Sequence, residues 1–265
     1  MPNSSIDLTC RPTLTAISIG QERTLHVLIR IRAGLPKGKA ERLRLSTVLA
    51  LDVSGSMNGQ PLAHVLRSTE RIVDLLEEGD AVGVVAFSSS AQVVTPLRRL
   101  DASTRRQLQG EVRKLRAEGG TNISAGMSCA ASLFPPRSPG EQQLLLLLSD
   151  GQPSVGPSTP RELASEAGQI RARNIVISTL GYGAQHDENV LINIAELGGG
   201  RYAFVSEPQL AESSFVQALG NQLDVVLESP RLVLTPSEDA DIVRVLGDLR
   251  TSVGADGLRV SLRDL

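Results

Sequence analysis

Tryptophan is absent from this 265-residue chain, and other aromatic residues are scarce, with two Tyr and four Phe. Modules that bind unpaired bases or sugar rings rely on aromatic platforms, so that class of ligand is disfavoured. An excess of charge of one sign is also lacking. Lys and Arg number 27 against 29 Asp and Glu, a net charge of −2, and no strong field points toward nucleic acid or an anionic membrane. Cysteine is reduced to Cys10 and Cys129, far apart and without metal-site spacing. Cys129 sits in an apolar helical pattern and reads as a reduced, packed thiol. The longest apolar run, Leu144 to Leu148, is far too short to cross a bilayer. Residues Met1 to Cys10 lack the basic start and apolar run of a secretory signal. The expectation is a soluble, cytoplasmic protein with no nucleic-acid or membrane partner.

What remains is ordinary globular material. The hydrophobic fraction is 41%, enough to bury a core. Lysine occurs only at Lys37, Lys39 and Lys114, the other cations being Arg. Two alternating segments, Thr13 to Ile19 and Thr24 to Ile31, flank Gly20-Gln21-Glu22 and predict a hairpin. Gly34 to Arg42 reads as a linker. From residue 43 the pattern changes. Short apolar runs at Leu45–Leu51, Ala81–Phe87, Gln92–Leu97, Gln143–Ser149, Ile175–Leu180 and Arg201–Val205 predict six strands, the third with an edge-like Pro96. Between them lie helix-period segments. One carries Leu62, Val65, Leu66, Ile72, Val73 and Leu76, and the others cover 103–116, 123–133, 159–172, 188–197 and 208–227.

Alternating strands and helices with short connections predict an α/β, Rossmann-like doubly wound fold: a mostly parallel six-stranded sheet with helices on both faces. After Ser229 short strands return at Arg231–Thr235, Asp241–Leu246 and Leu258–Leu262. The expected organisation is a central domain over 43–228, with 1–42 and 229–265 forming a small antiparallel β-sandwich beside it. A bare edge strand in such a sandwich invites pairing, so self-association is among the expectations.

Three separated fragments carry chemistry. The first strand ends in Asp52-Val53-Ser54-Gly55-Ser56, and ligands of open α/β sheets bind beyond the carboxyl ends of the strands. Gly55 is expected to turn this loop sharply. Gly119-Gly120-Thr121-Asn122-Ile123 presents a hydroxyl just before a helix, and Ser149-Asp150-Gly151 a carboxylate after another central strand. Two carboxylates and three hydroxyls make a hard, all-oxygen donor set. Such a set suits Mg²⁺, then Mn²⁺ or Ca²⁺, and disfavours Zn²⁺ or copper.

Position for position, Asp52, Ser54, Ser56, Thr121 and Asp150 resemble the metal-ion-dependent adhesion site of von Willebrand factor A domains, a resemblance running from about Leu45 to Leu227. The fragments Gly79 to Phe87, Leu180 to Gly183 and Ile194 to Tyr202 are similar to a bacterial, intracellular branch with flanking strands. The resemblance implies that Ser54, Ser56 and often Thr121 bind the metal directly, and Asp52 and Asp150 directly or through water. It further implies a protein partner that supplies an Asp or Glu to the metal. Intracellular members serve AAA+ ATPases, chelatase-like machines or signalling and defence systems. Two carboxylates balance one divalent cation; if either stands off behind water, a position stays open for that incoming carboxylate.

Plainer readings compete. Asp-x-Ser-x-Ser alone is a common turn. Asn58 and Gln60 read as shaping the loop and capping a helix that begins near Pro61. His26, His64 and His186 are dispersed, and Asp187 reads as a helix cap rather than part of the metal rim. The pairs Arg98-Arg99 and Arg105-Arg106 read as solvated faces. No phosphate-binding loop, dinucleotide fingerprint or nucleophile elbow is present, so the chain is not expected to be an enzyme. The alternatives are a structural or oligomerising module that recognises partners through its flanking strands, and a metal-dependent hydrolase.

Overall fold

Two apolar layers, one on each face of a sheet, follow from the alternation of side chains in two central strands. The computed structural model describes residues 6–14, 23–33, 43–183, 186–219, 231–237, 240–246, 249–254 and 256–262. In it β3 (Arg44–Asp52) and β6 (Glu141–Ser149) lie side by side and are buried along nearly their whole length. Successive side chains of a strand point to opposite faces. Leu49, Leu51, Leu144, Leu146 and Leu148 therefore enter one layer, and Val48, Ala50, Leu145 and Leu147 the other. Strands covered on both faces have no polar side, hence the near-continuous aliphatic runs in the sequence.

Four further strands, β4 (Ala81–Phe87), β5 (Ala91–Arg99), β7 (Ile175–Gly181) and β8 (Gly199–Phe204), complete a six-stranded sheet of order β5-β4-β3-β6-β7-β8. Neighbours are parallel except β5, which runs antiparallel to β4 at the edge. Pro96 is tolerated there because an edge strand needs only one ladder. Helices α1 (Gln60–Leu75), α2 (Ala102–Val112) and α6 (Ala211–Leu219) send Val65, Ile72, Leu108 and Phe215 into the first layer. From α3 (Ile123–Ser132), α4 (Pro160–Arg171) and α5 (Glu188–Leu197) come Met127, Leu163 and Leu191 of the second. Each such side chain contributes roughly 1.5–3 kcal/mol when fully buried. The doubly wound architecture expected from the sequence is the one observed. A short 3-10 turn, Pro208–Leu210, precedes α6, and the part of the expected 208–227 helix beyond Leu219 lies outside the described residues. Among the described residues no helix is long and apolar enough to cross a membrane.

Two readings of side chains change. The residue preceding α1 is Gly59, and neither Asn58 nor Gln60 caps it with a side chain. Arg105 is not simply solvated: from α2 its guanidinium donates to the carbonyls of Val73 and Leu76, satisfying the end of α1. Cys129 is half-buried against the second layer, and burial pushes its thiol pKa up, as befits a packed thiol.

By contacts the chain divides into Leu43–Leu223 and a unit made of its two ends, Met1–Arg42 with Asp224–Leu265. In the end unit β1 (Ile6–Pro12) pairs antiparallel with β2 (Val27–Ala33). Separately, β9 (Arg231–Leu234), β10 (Arg250–Gly254) and β11 (Gly257–Ser261) form an antiparallel sheet of order β10-β11-β9. No ladder among the described residues joins these two small antiparallel sheets. The hairpin differs from expectation. Its first strand is Ile6–Pro12, not Thr13–Ile19, of which residues 15–19 lie outside the described residues. All seven residues of β1 are exposed, and alternation cannot choose a register where neither face is buried. Asp241–Leu246 is not a strand; its apolar Val243 is 80% exposed. The strand lies instead at β10, where Gly254 faces Gly257 across a tight turn.

At the amino-terminal edge of the large sheet, Asp80 is 1% exposed. Its Oδ1 accepts from the Leu45 N–H at 2.9 Å and its Oδ2 from the Glu77 N–H at 3.0 Å, while its carbonyl accepts from Leu100 N–H at 2.7 Å. One carboxylate thus ties the starts of β3 and β4 together. Asp80→Ala strands two donors and is expected to lower stability by about 2–4 kcal/mol. This would be read as a lower urea midpoint at unchanged slope; a variant within about 0.5 kcal/mol of wild type contradicts the assignment.

Candidate metal centre

The sheet order reverses at β3, whose sequence neighbour β4 lies on one side and β6 on the other. In such sheets the crevice beyond the carboxyl ends opens at this reversal. Asp52 is the last residue of β3, and Asp150 directly follows Ser149, the last of β6. The fold therefore sets two carboxylates side by side at the mouth of the crevice, and each is almost fully buried, Asp52 at 0% and Asp150 at 7% exposure.

Asp52 is held on both oxygens. Oδ1 accepts from the Ser54 N–H at 2.9 Å, and Oδ2 from the Ser149 hydroxyl at 2.5 Å. Ser149 in turn accepts from the Gly151 N–H at 2.9 Å. Burial raises the Asp52 pKa from 3.8 to about 6, even though the hydrogen bonds from Ser149 and Ser54 oppose the rise, and the charge of Asp150 adds to it. Among the described residues no Lys, Arg or His forms an ion pair with this carboxylate. A buried charge without a counter-charge is costly, so the site is electrostatically incomplete.

The first loop continues into a short 3-10 turn, Gly55–Met57, which brings the Ser54 and Ser56 hydroxyls within 3.0 Å of one another. Gly55 serves close approach rather than a left-handed turn: its N–H donates to the Gly119 carbonyl at 2.9 Å, and a Cβ would stand 3.1 Å from that oxygen. The Gly119–Thr121 loop is thereby joined to the Asp52–Ser56 loop. Further bonds from Glu118 N–H to the Val53 carbonyl (2.8 Å) and from Asn122 N–H to the Ser88 carbonyl (2.8 Å) fix it on either side. Asn122 caps α3, accepting from Ala125 N–H, so Thr121 is held at the helix entrance. Thr121 is 3% exposed, and its N–H donates to the Ser154 hydroxyl at 2.9 Å.

On the third loop, Asp150 Oδ1 accepts from Gln152 N–H at 3.1 Å, and its carbonyl from Asp187 N–H at 2.7 Å. Gly151 has φ 67°, and a Cβ there would meet the Asp187 carbonyl at 2.7 Å. A side chain at this position would push the loop off its partner.

All five oxygen-bearing residues singled out in the sequence thus lie on three hydrogen-bonded loops at one end of the sheet. Their donor set is hard, and a cation would relieve the buried carboxylate, so the residues present fit a divalent metal. No group of three or more His, Cys, Asp or Glu able to share a metal occurs among the described residues. The sequence reading overlooked the Ser149 and Ser154 hydroxyls and that of Ser89, which accepts from Gly120 N–H at 2.8 Å. For Ser149 the signal was its place immediately before Asp150; the other two lie on loops that only the fold brings close. Asp187 caps α5 by accepting from Val190 N–H. His186 bonds the Tyr202 hydroxyl at 2.6 Å and the Gly183 carbonyl at 2.9 Å, and stacks on Phe204.

Comparison with known proteins is consistent with this geometry. The family model for the von Willebrand factor type A domain matches residues 47–217. Protein sll0103 of Synechocystis is 29% identical over 225 residues, covering 84% of this chain and 52% of its own length. A von Willebrand factor type A structure from Catenulispora acidiphila superposes with a TM-score of 0.71 at 18% identity, covering 98% of this chain and 61% of that one. Proximal thread matrix protein 1 of the mussel byssus, in a structure whose adhesion site is occupied by zinc, gives a TM-score of 0.55 at 22% identity, covering 65% of this chain and 45% of its own. The chain therefore spans about half the length of the cyanobacterial relative.

The Asp52 shift has a sign that can be tested in metal-free protein. With a folded pKa of about 6 above the ordinary 3.8, the proton stabilises the fold below about pH 4, and that stability is lost as pH rises through 6. In EDTA, wild type minus Asp52→Asn stability should fall by on the order of 3 kcal/mol between pH 4 and pH 7.5. Urea unfolding of both proteins checks this, and a pH-independent difference contradicts it.

Proposed function

Because this chain belongs to the von Willebrand factor type A domain family, we propose that it is a metal-dependent protein-interaction module whose adhesion site is intact and formed by Asp52, Ser54, Ser56, Thr121 and Asp150. The observation that carries this reading is the fully buried Asp52 carboxylate, held by the Ser149 hydroxyl and the Ser54 N–H and lacking a positive partner among the described residues. Bound there, a divalent cation would supply a positive charge and a coordination position for an acidic side chain of another protein.

The work of the chain's own residues is to hold donors in place. Ser149 and the Ser54 N–H orient Asp52, the turn Gly55–Met57 pairs Ser54 with Ser56, and Ser154 fixes the loop that bears Thr121. Hydroxyl and carboxylate oxygens favour Mg²⁺, with Mn²⁺ and Ca²⁺ next. Since the mussel protein holds zinc at its own site, Zn²⁺ belongs in the same competition. We propose binding without turnover, since no phosphate-binding loop, dinucleotide fingerprint or nucleophile elbow accompanies the site. The partner proposed on family resemblance is an AAA+ ATPase or a signalling or defence component inside a bacterial cell.

A second reading has its own observation. Ile6, Leu8, Val27 and Leu28 of the β1–β2 hairpin are each more than half exposed, so recognition through the flanking strands, or self-association there, would bury them.

Calorimetry should show one Mg²⁺ per wild-type chain and none for Asp52→Asn. Mg²⁺ at a hundred times its Kd should stabilise wild type by about 2.7 kcal/mol. Association with the partner should be lost in EDTA and in Asp52→Asn. Metal binding accompanied by unchanged association in both conditions would transfer recognition to the flanking strands.

A further inference from the structure

Beside the loops of the metal centre lies a cleft of about 290 Å³. Its wall includes Val53, between Asp52 and Ser54, and Glu118, whose N–H bonds the Val53 carbonyl. Ser88, also in the wall, accepts through its carbonyl from Asn122, the neighbour of Thr121. The cleft thus borders two of the three ligand-bearing loops, that of Asp52, Ser54 and Ser56 through Val53 and that of Thr121 through Glu118, with further wall coming from β4, β5 and their connection. A partner chain docked at the metal would therefore pass over or beside it.

The chemistry of the cleft is cationic and hydrogen-bonding. Lys114 and Arg116 both line it, against one carboxylate, Glu118. Lys114 meets Glu111 at 2.8 Å, but its side chain is 70% exposed, and a surface pair of that kind contributes little. Arg116 Nη1 is held by two backbone carbonyls, Arg113 at 3.0 Å and Leu115 at 2.8 Å, and no carboxylate pairs with the guanidinium among the described residues. These bonds anchor the side chain and leave its charge uncompensated. The hydroxyl-bearing Ser88 completes a lining suited to a carboxylate.

We propose that this cleft is a second subsite of the docking face, taking another acidic side chain of the same partner that presents its first to the metal. The proposal rests on the metal-dependent reading of Asp52 and its neighbours, and specifies the partner: a segment with two acidic residues, not one. The second contact forms within an already bound chain, so a modest interaction is enough to discriminate between partners.

Synthetic peptides test it with the 265-residue chain in Mg²⁺. One peptide carries a single Asp among Gly and Ser; the others carry that Asp and a Glu after spacers of increasing length. The best two-acid peptide should bind roughly five-fold more tightly than the one-acid peptide. Lys114→Gln with Arg116→Gln should abolish that preference while leaving one-acid binding unchanged. Arg98→Gln with Arg99→Gln removes the same charge at the opposite end of β5 and should preserve the preference. EDTA should abolish binding of every peptide. Equal binding of one- and two-acid peptides, a preference that survives loss of Lys114 and Arg116, a preference lost in the Arg98/Arg99 control, or no binding at all overturns the subsite. One-acid binding that persists in EDTA instead overturns the metal reading on which it rests.

Discussion

A fully buried carboxylate with no positive partner among the described residues is the constraint on which the rest of this structure turns. Asp52 ends the central strand of a sheet whose order reverses at that strand, so the charge lies at the mouth of the crevice that the fold creates. Hydroxyls and backbone N–H groups fix it in one orientation without neutralising it. The surrounding loops are bonded to one another, through Gly55 to Gly119, Glu118 to Val53 and Asp187 to Asp150. Folding completes every part of the site except its charge balance, and the proposed function follows from that remaining imbalance.

Asp80 supplies the contrast within the same molecule. It too is a buried carboxylate next to the central strands, but at the opposite edge of the sheet, where its oxygens accept N–H bonds from two chain segments that it joins. Asp80 serves the architecture, whereas Asp52 is aimed into a crevice beside a second carboxylate whose charge raises its pKa further. Both depend on the two apolar layers, which fix the strands from which these residues project.

Legibility in the sequence tracked burial. Leu45–Leu51 and Gln143–Ser149 were readable as strands because cover on both faces forces continuous aliphatic runs, and the helices because each buries one stripe. That the fragments at Asp52, Thr121 and Asp150 would meet was readable because strand ends locate a crevice before its contacts are known. The hairpin register and Asp241–Leu246 were misread where residues are exposed, since period-two patterning carries no information when neither face is buried. Ser154, Ser89 and the cleft at Lys114 and Arg116 depend on loops remote in sequence, and no local pattern announces them. The close approach of Gly55 to Gly119 was likewise not legible, because it depends on a loop more than sixty residues away.

The most direct test of the claim that Asp52 marks a cation site is anomalous diffraction from crystals of the full chain grown with Mn²⁺. The expected result is one strong peak among the Ser54, Ser56 and Thr121 hydroxyls, within about 2.0–2.3 Å of directly bound oxygens and next to the Asp52 and Asp150 carboxylates. Absence of a peak there at saturating Mn²⁺, or a peak confined to another part of the molecule, contradicts it.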